Sequence, residues 1–190
     1  MRLSELVLAS ASPRRLELLR SIGLHVRVVP SMYEEPVLEH LTPRELAISH
    51  AREKARAVAA MVRTGVVVGA DTVVDVDGTA FGKPRDANDA ARMLHALSGR
   101  DHLVHTAYTV IDSERSREET EVETTSVRFF SLSAQEVAEY VARGESFDKA
   151  GAYGIQGFGA TLVARIDGDF YTVMGFPLGR FVRTLARMGF

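Results

Sequence analysis

The sequence predicts an α/β fold, a mixed β-sheet with flanking helices whose two lobes border a cleft. Three observations carry this. Apolar or alternating runs of strand length alternate from end to end with stretches of helical periodicity. Asp77-Gly78 lies between two alternating segments, a strong hairpin signal, so part of the sheet must be antiparallel. The chain has 190 residues, 46% of them hydrophobic, enough to bury the core of one domain spanning 1–190.

The first element is an apolar strand, Leu6-Val7-Leu8-Ala9, followed by Ser10-Ala11-Ser12-Pro13-Arg14-Arg15 and an apolar stripe at helical spacing that Gly23 closes. Ser12 is a natural N-cap and Pro13 suits the first helical position, where no amide hydrogen is missed. Val26 to Val29 alternates as a short strand, and Pro30 leads into the acidic loop Tyr33-Glu34-Glu35-Pro36. Thr42, Pro43 and Glu45 form a capping box for a helix running to about Val62, with the stripe Leu46, Ala47, Ala51, Ala55, Val58. Val66-Val67-Val68 reads as a buried strand. It continues through Gly69-Ala70-Asp71-Thr72 to the Asp77-Gly78 turn and a return strand to Lys83, which would set Thr72 opposite Lys83. A helix from Asp86 to Leu97 follows, then strands His102 to Asp112 and Glu121 to Phe129. The mixed-sign stretch Asp112 to Glu123 reads as a solvated hairpin end. A helix spans Ala134 to Ala142 and closes at Gly144. After the glycine-rich segment Asp148 to Gly159, a second hairpin turning at Asp167-Gly168 and a final helix from about Pro177 to Met188 are expected.

Composition narrows the function. A net charge of −2, from 23 basic and 25 acidic residues, gives no general pull toward nucleic acid or anionic membrane, so any phosphate binding is local. The absence of cysteine excludes disulfides, thiolate metal sites and thiol catalysis. No apolar run approaches the roughly 20 residues of a membrane span, and no signal-peptide core precedes Arg14, so a soluble cytoplasmic protein is expected.

Arg14 and Arg15 stand in the first turn of a helix, where the dipole disfavours cations. The placement makes sense if an anion is shared by the helix amides, the serine hydroxyls and both guanidinium forks, a polyphosphate site. The alternative is a solvated helix start whose arginines pair with nearby acids. Lys54 lies in the apolar stripe of its helix and either snorkels outward or points into a cleft. Asp71, preceded by Val-Val-Val-Gly-Ala, must be paired or face a cleft; it is a candidate for binding metal or activating water, or it caps a turn or pairs with Lys83. Glu35, with Glu34 beside it, is the second candidate acid. Phosphoryl chemistry needs such acids together with cations, here Arg14, Arg15, Lys54 and Lys83. There is no P-loop motif, and Gly154-Ile155-Gln156-Gly157-Phe158-Gly159 lacks the dinucleotide-binding spacing. Tyr153, Ile155, Gln156 and Phe158, interleaved with glycines, read either as a mobile surface loop or as a platform for a planar base, with aromatic surface to stack and one amide to read its edge.

Five segments in order resemble the Maf family of nucleoside triphosphate pyrophosphatases: Leu8-Ala9-Ser10-Ala11-Ser12-Pro13-Arg14-Arg15, Ala51-Arg52-Glu53-Lys54-Ala55, Gly69-Ala70-Asp71-Thr72-Val73, Gly82-Lys83-Pro84, and Asp148 to Gly157. The resemblance runs from near residue 6 to about residue 178, and its last segment is similar to the branch acting on dTTP and UTP rather than the sister branch acting on 7-methyl-GTP. It implies hydrolysis between the α and β phosphates with a divalent cation, Mg2+ or Mn2+, in the elongated fold shared with inosine triphosphate pyrophosphatases, commonly as a homodimer. By the same resemblance, Asp71 accepts the proton of the attacking water, and Arg14, Thr72 and Gln156 govern substrate choice. Ser10, Arg15, Lys54 and Lys83 contact phosphate, and Glu35 lies near the metal, with Asp71 a second ligand. Family members are also linked to arrest of cell division, so a non-catalytic nucleotide-binding regulator of septum formation is the alternative. Retention of Asp71, Lys54 and Lys83 together argues for the enzyme, and the lack of a basic stripe argues against a nucleic-acid partner.

Overall fold

The computed structural model describes residues 5–36 and 38–190. Its frame is a seven-stranded sheet in which β1 (Leu6–Leu8) lies between β2 (Val26–Val28) and β3 (Val66–Val76), parallel to both. Beyond β3, the strands β5 (Asp101–Asp112), β6 (Arg117–Phe129) and β7 (Val163–Asp167) add in antiparallel order, and β4 (Thr79–Phe81) pairs with the far end of β3. The mixed sheet is as the alternating pattern requires.

Local chemistry places the helices. In α1 (Pro13–Ser21) the Ser12 side chain caps Arg15 N, and Pro13 stands in the first turn. The capping box of Thr42 and Glu45 forms at the start of α2 (Pro43–Val62), and Asp86 caps α3 (Ala87–Leu97). Ser133 and Glu136 form a second capping box at α4 (Ala134–Ala142). A five-residue helix, α5 (Phe170–Met174), and α6 (Leu178–Arg187) complete the chain.

Because side chains alternate along a strand, β3 serves two layers at once. On one face Val66, Val68 and Ala70 join a core with Leu6, Leu8, Tyr108, Phe176 and Phe181. Farther along that face, Val74 and Val76 join a second core with Leu94, Val104, Phe129 and Tyr140. Thr72 falls at the seam between the two. On the opposite face Val67 and Val73 pack toward α2, against Val58 and against Ala47 and Ala51 respectively. Gly69 lets the helix come this close: a Cβ there would lie 2.5 Å from Ala51 O and from Ala55 N.

Three sequence expectations are corrected. The β3–β4 ladder ends at Val74↔Phe81, so Thr72 does not face Lys83; it pairs with Thr106 of β5. The charged stretch after Asp112 is strand from Arg117 onward, because alternate acids find arginines on both faces. Glu118 meets Arg52 and Arg56 of α2, whereas Glu119, Glu121 and Glu123 meet Arg180 and Arg187 of α6. Finally, Asp167-Gly168 turns no hairpin: Asp169 caps α5 through Thr172 N at 2.7 Å.

Candidate active site

A cleft of about 840 Å³ opens at the seam, and Ser10, Arg14, Arg15, Glu35, Lys54, Asp71, Thr72, Lys83 and Gln156 all line it. This volume lies in the range of small-molecule sites. The structure thus brings together every site residue expected from the sequence, but it gives them different work.

Asp71 projects from the α2 face of β3, opposite to Thr72, and is nearly buried. Lys54 comes down from α2 to meet it, Nζ lying 2.6 Å from Asp71 Oδ1 and 2.6 Å from Glu35 Oε1. The open choice for Lys54 is resolved toward the cleft, and the partner of Asp71 is Lys54 rather than Lys83. Among the described residues no hydrogen bond is made to Asp71 Oδ2. Partial burial raises the Glu35 carboxyl, but the Lys54 hydrogen bond and the charges of Lys54, His50 and Lys83 outweigh it and hold the group below its ordinary range. Tyr33 anchors the loop that carries Glu35, its hydroxyl lying 3.2 Å from Nδ1 of the buried His50.

Arg15 is a strut. Its Nε donates to Gly175 O at 2.9 Å, Nη1 to Ser10 Oγ at 3.1 Å and Ala70 O at 2.9 Å, and Nη2 to Thr72 Oγ1 at 3.0 Å. Four of its five N–H groups are therefore engaged, leaving one for a ligand. Burial lowers the affinity of this guanidinium for its proton, Arg14 reinforces the shift, and Asp71 and Glu35 oppose it. The network has one direction. Thr106 Oγ1 donates to Thr172 O at 2.7 Å, so its contact of 3.0 Å with Thr72 Oγ1 must be received from Thr72, which in turn accepts from Arg15. Arg14 instead reaches across the cleft, with Nη1 2.7 Å from Asp148 Oδ2.

Of the two readings of the glycine-rich segment, the aromatic platform does not form. Tyr153 is buried edge-on against His102 and Phe129, with its hydroxyl 2.8 Å from His102 Nε2. Phe158 stacks on Tyr140 beneath the Arg143 guanidinium and does not line the cleft. Gln156 is exposed at the rim, free to meet a ligand edge. Sequence reasoning missed Asp148; its signal was an acid beside Lys149 in a segment already marked by glycines.

The profile of the family described as Maf-like protein matches residues 5–188, nearly the whole chain. This chain belongs to the Maf family. It is 46% identical over 186 residues to the dTTP/UTP pyrophosphatase of Carboxydothermus hydrogenoformans, covering 98% of this chain and 100% of that protein. It is 48% identical over 187 residues to the protein of the same name from Moorella thermoacetica, covering 98% and 96%. A solved structure of the Staphylococcus aureus Ham1 protein shares 16% identity with this Maf protein at a TM-score of 0.49, covering 84% of this chain and 80% of that one.

Proposed function

We propose that this Maf protein hydrolyses dTTP and UTP between the α and β phosphates, releasing the nucleoside monophosphate and pyrophosphate. The observation that carries the chemistry is the Glu35–Lys54–Asp71 chain at 2.6 Å spacing on the cleft wall; the substrate class comes from the relatives named above. Lys54 fixes Asp71 through Oδ1, leaving Oδ2 to take a proton from a water that attacks the α phosphorus. The bond from the α phosphorus to the bridging oxygen then breaks, and the electron pair leaves on pyrophosphate. Arg14, Lys54 and Lys83 supply positive charge along the cleft where that leaving group develops its own.

The donor set also fits a divalent cation. Glu35 and Asp71 converge on one ammonium nitrogen, so two hard oxygen donors already address a single cationic centre. Mg2+ and Mn2+ use one or two carboxylates and complete their shell with phosphate oxygens and water. Among the described residues no group of three or more His, Cys, Asp or Glu side chains that could hold a metal ion occurs. Glu35 and Asp71 would hold the ion, which when bound neutralises phosphate charge.

Gln156 presents an amide donor and acceptor from the rim, matching the acceptor and N–H donor edge common to uracil and thymine. No helix among the described residues is long and apolar enough to cross a membrane. A cytoplasmic homodimer completes this reading.

The test incubates purified protein with magnesium and dTTP, UTP, CTP, GTP or 7-methyl-GTP and measures pyrophosphate against orthophosphate. Pyrophosphate from dTTP and UTP is expected. In Asp71→Asn, nucleotide binding is expected to persist while turnover falls about a hundredfold or more. Orthophosphate as the product, or full turnover in that variant, overturns the reading.

A further inference from the structure

Asp148 precedes the first 3-10 turn of the glycine-rich segment, Ala150–Ala152, and lies between two cations. Its Oδ2 is 2.7 Å from Arg14 Nη1, its backbone oxygen 3.4 Å from Arg14 Nη2, and its Oδ1 2.6 Å from Lys149 Nζ. Lys149 is itself fixed: Nζ donates to Glu145 O at 2.6 Å, and its stem lies across Gly154, where a Cβ would come within 2.7 Å of Cε. All of these residues line the cleft. Partial burial raises the Asp148 carboxyl, but hydrogen bonds from Lys149 and Arg14 prevail and hold it below its ordinary range, so it is anionic at neutral pH.

A carboxylate shared by a guanidinium and an ammonium has the charge and the acceptor geometry of one face of a phosphate group. We propose that Asp148 sets the affinity of the cleft for phosphate by competing, from within the chain, for Arg14. The proposal rests on reading the cleft as a polyphosphate site. Arg14 reaches a ligand phosphate by releasing Asp148, and that release uncouples α1 from the segment that carries Gln156. The competitor is placed to be displaced, because its side chain is 58% exposed and the pair crosses from α1 to a segment without regular structure. Arg15 differs, since its partners are backbone carbonyls and hydroxyls on three elements and it stays in place.

The experiment measures binding of magnesium pyrophosphate by calorimetry, and KM for dTTP, in wild type, Asp148→Asn, Arg14→Gln and the double variant. Asp148→Asn keeps the side-chain shape and removes the charge. An exposed pair of this kind is worth a few-fold in affinity, so pyrophosphate is expected to bind about two- to five-fold tighter and KM to fall by a similar factor. In the Arg14→Gln background the same substitution is expected to lose most of that gain, which a general loosening of the fold would not reproduce. Weaker binding in Asp148→Asn, no change, or a gain of equal size without Arg14 overturns the proposal. Failure of the wild type to bind pyrophosphate or release it from dTTP overturns the cleft reading itself, and this inference with it. A wild type that does both while Asp148→Asn binds no tighter overturns the inference alone.

Discussion

Gly69→Ala would add a methyl group at the tightest contact between β3 and α2. The new Cβ would stand 2.5 Å from Ala51 O and Ala55 N and 2.9 Å from Ala55 Cα, where ordinary contact begins at 3.4 Å. Backbone atoms lie on both sides, so no rotamer relieves the clash and the helix must retreat by about 0.9 Å. Overpacking of this kind costs about 1–3 kcal/mol. In a chain of this size that lowers Tm by about 2–12 °C. Lys54 rides on the same turn of α2 as Ala51 and Ala55, so its bonds to Asp71 and Glu35 stretch with the helix. A misplacement near 1 Å costs up to about a hundredfold in turnover, and the flexible lysine stem absorbs part of it, so a loss of about tenfold or more is expected. Calorimetry for Tm and pyrophosphate release for turnover provide the readouts. Gly179→Ala is the control, since its methyl would meet only Arg183 Nη1 at 3.7 Å. Wild-type Tm and turnover in Gly69→Ala would refute the argument that this glycine sets the distance between Lys54 and Asp71.

Arg15→Lys replaces a fork by a point charge that cannot reach acceptors on β1's loop, β3 and the α5 end together. A loss of about 2 kcal/mol or more is expected, seen as a lower urea midpoint, and an unchanged midpoint would contradict the strut. His102 is buried, and burial pushes its pKa down to about 4 from an ordinary value of 6.5. Its neutral form belongs to the fold, so the stability tied to it is complete above pH 6.5 and is lost as pH falls toward 4, about 3 kcal/mol in all. Tm measured between pH 7 and 4 should show a shallower slope in His102→Gln, and parallel slopes would argue against this assignment. Gln156→Glu should lower dTTP and UTP turnover while leaving Tm unchanged, because Gln156 is an exposed rim residue; undiminished turnover removes it from base recognition.

What local chemistry decides was readable in the sequence. The caps at Ser12, Thr42 and Asp86 each satisfy amides within three residues of themselves, so α1, α2 and α3 begin where their residue types require. Glu118 to Glu123 looked solvated because its arginine partners on α2 and α6 lie at least 57 residues away along the chain, and only Arg117, which meets Glu119, is a neighbour. Asp167-Gly168 had the letters of a hairpin, but the residues after it supply a cap and a short helix rather than an alternating strand. In the site, residue types and the Maf resemblance named side chains that the fold places around one cleft, while the division of labour between Arg14 and Arg15 was hidden. It depends on which neighbour faces which strand, and Ala70 O, Thr72 and Gly175 O meet Arg15 only after β3 and the α5 end are in place.

The register between β3 and β5 runs without a break from Val66↔Asp112 to Asp75↔Leu103, passing through both cores and beneath Asp71. Swinging one lobe about the other would tear that ladder at its middle, so the floor of the cleft behaves as a rigid plank. Nucleotide entry and product escape are left to the jaws resting on it, the stretch from Pro30 to Pro36 and the stretch from Glu145 to Gly157. A kinetic lag tied to conformational change should therefore respond to substitutions in those two strips and be indifferent to ones that stiffen the sheet.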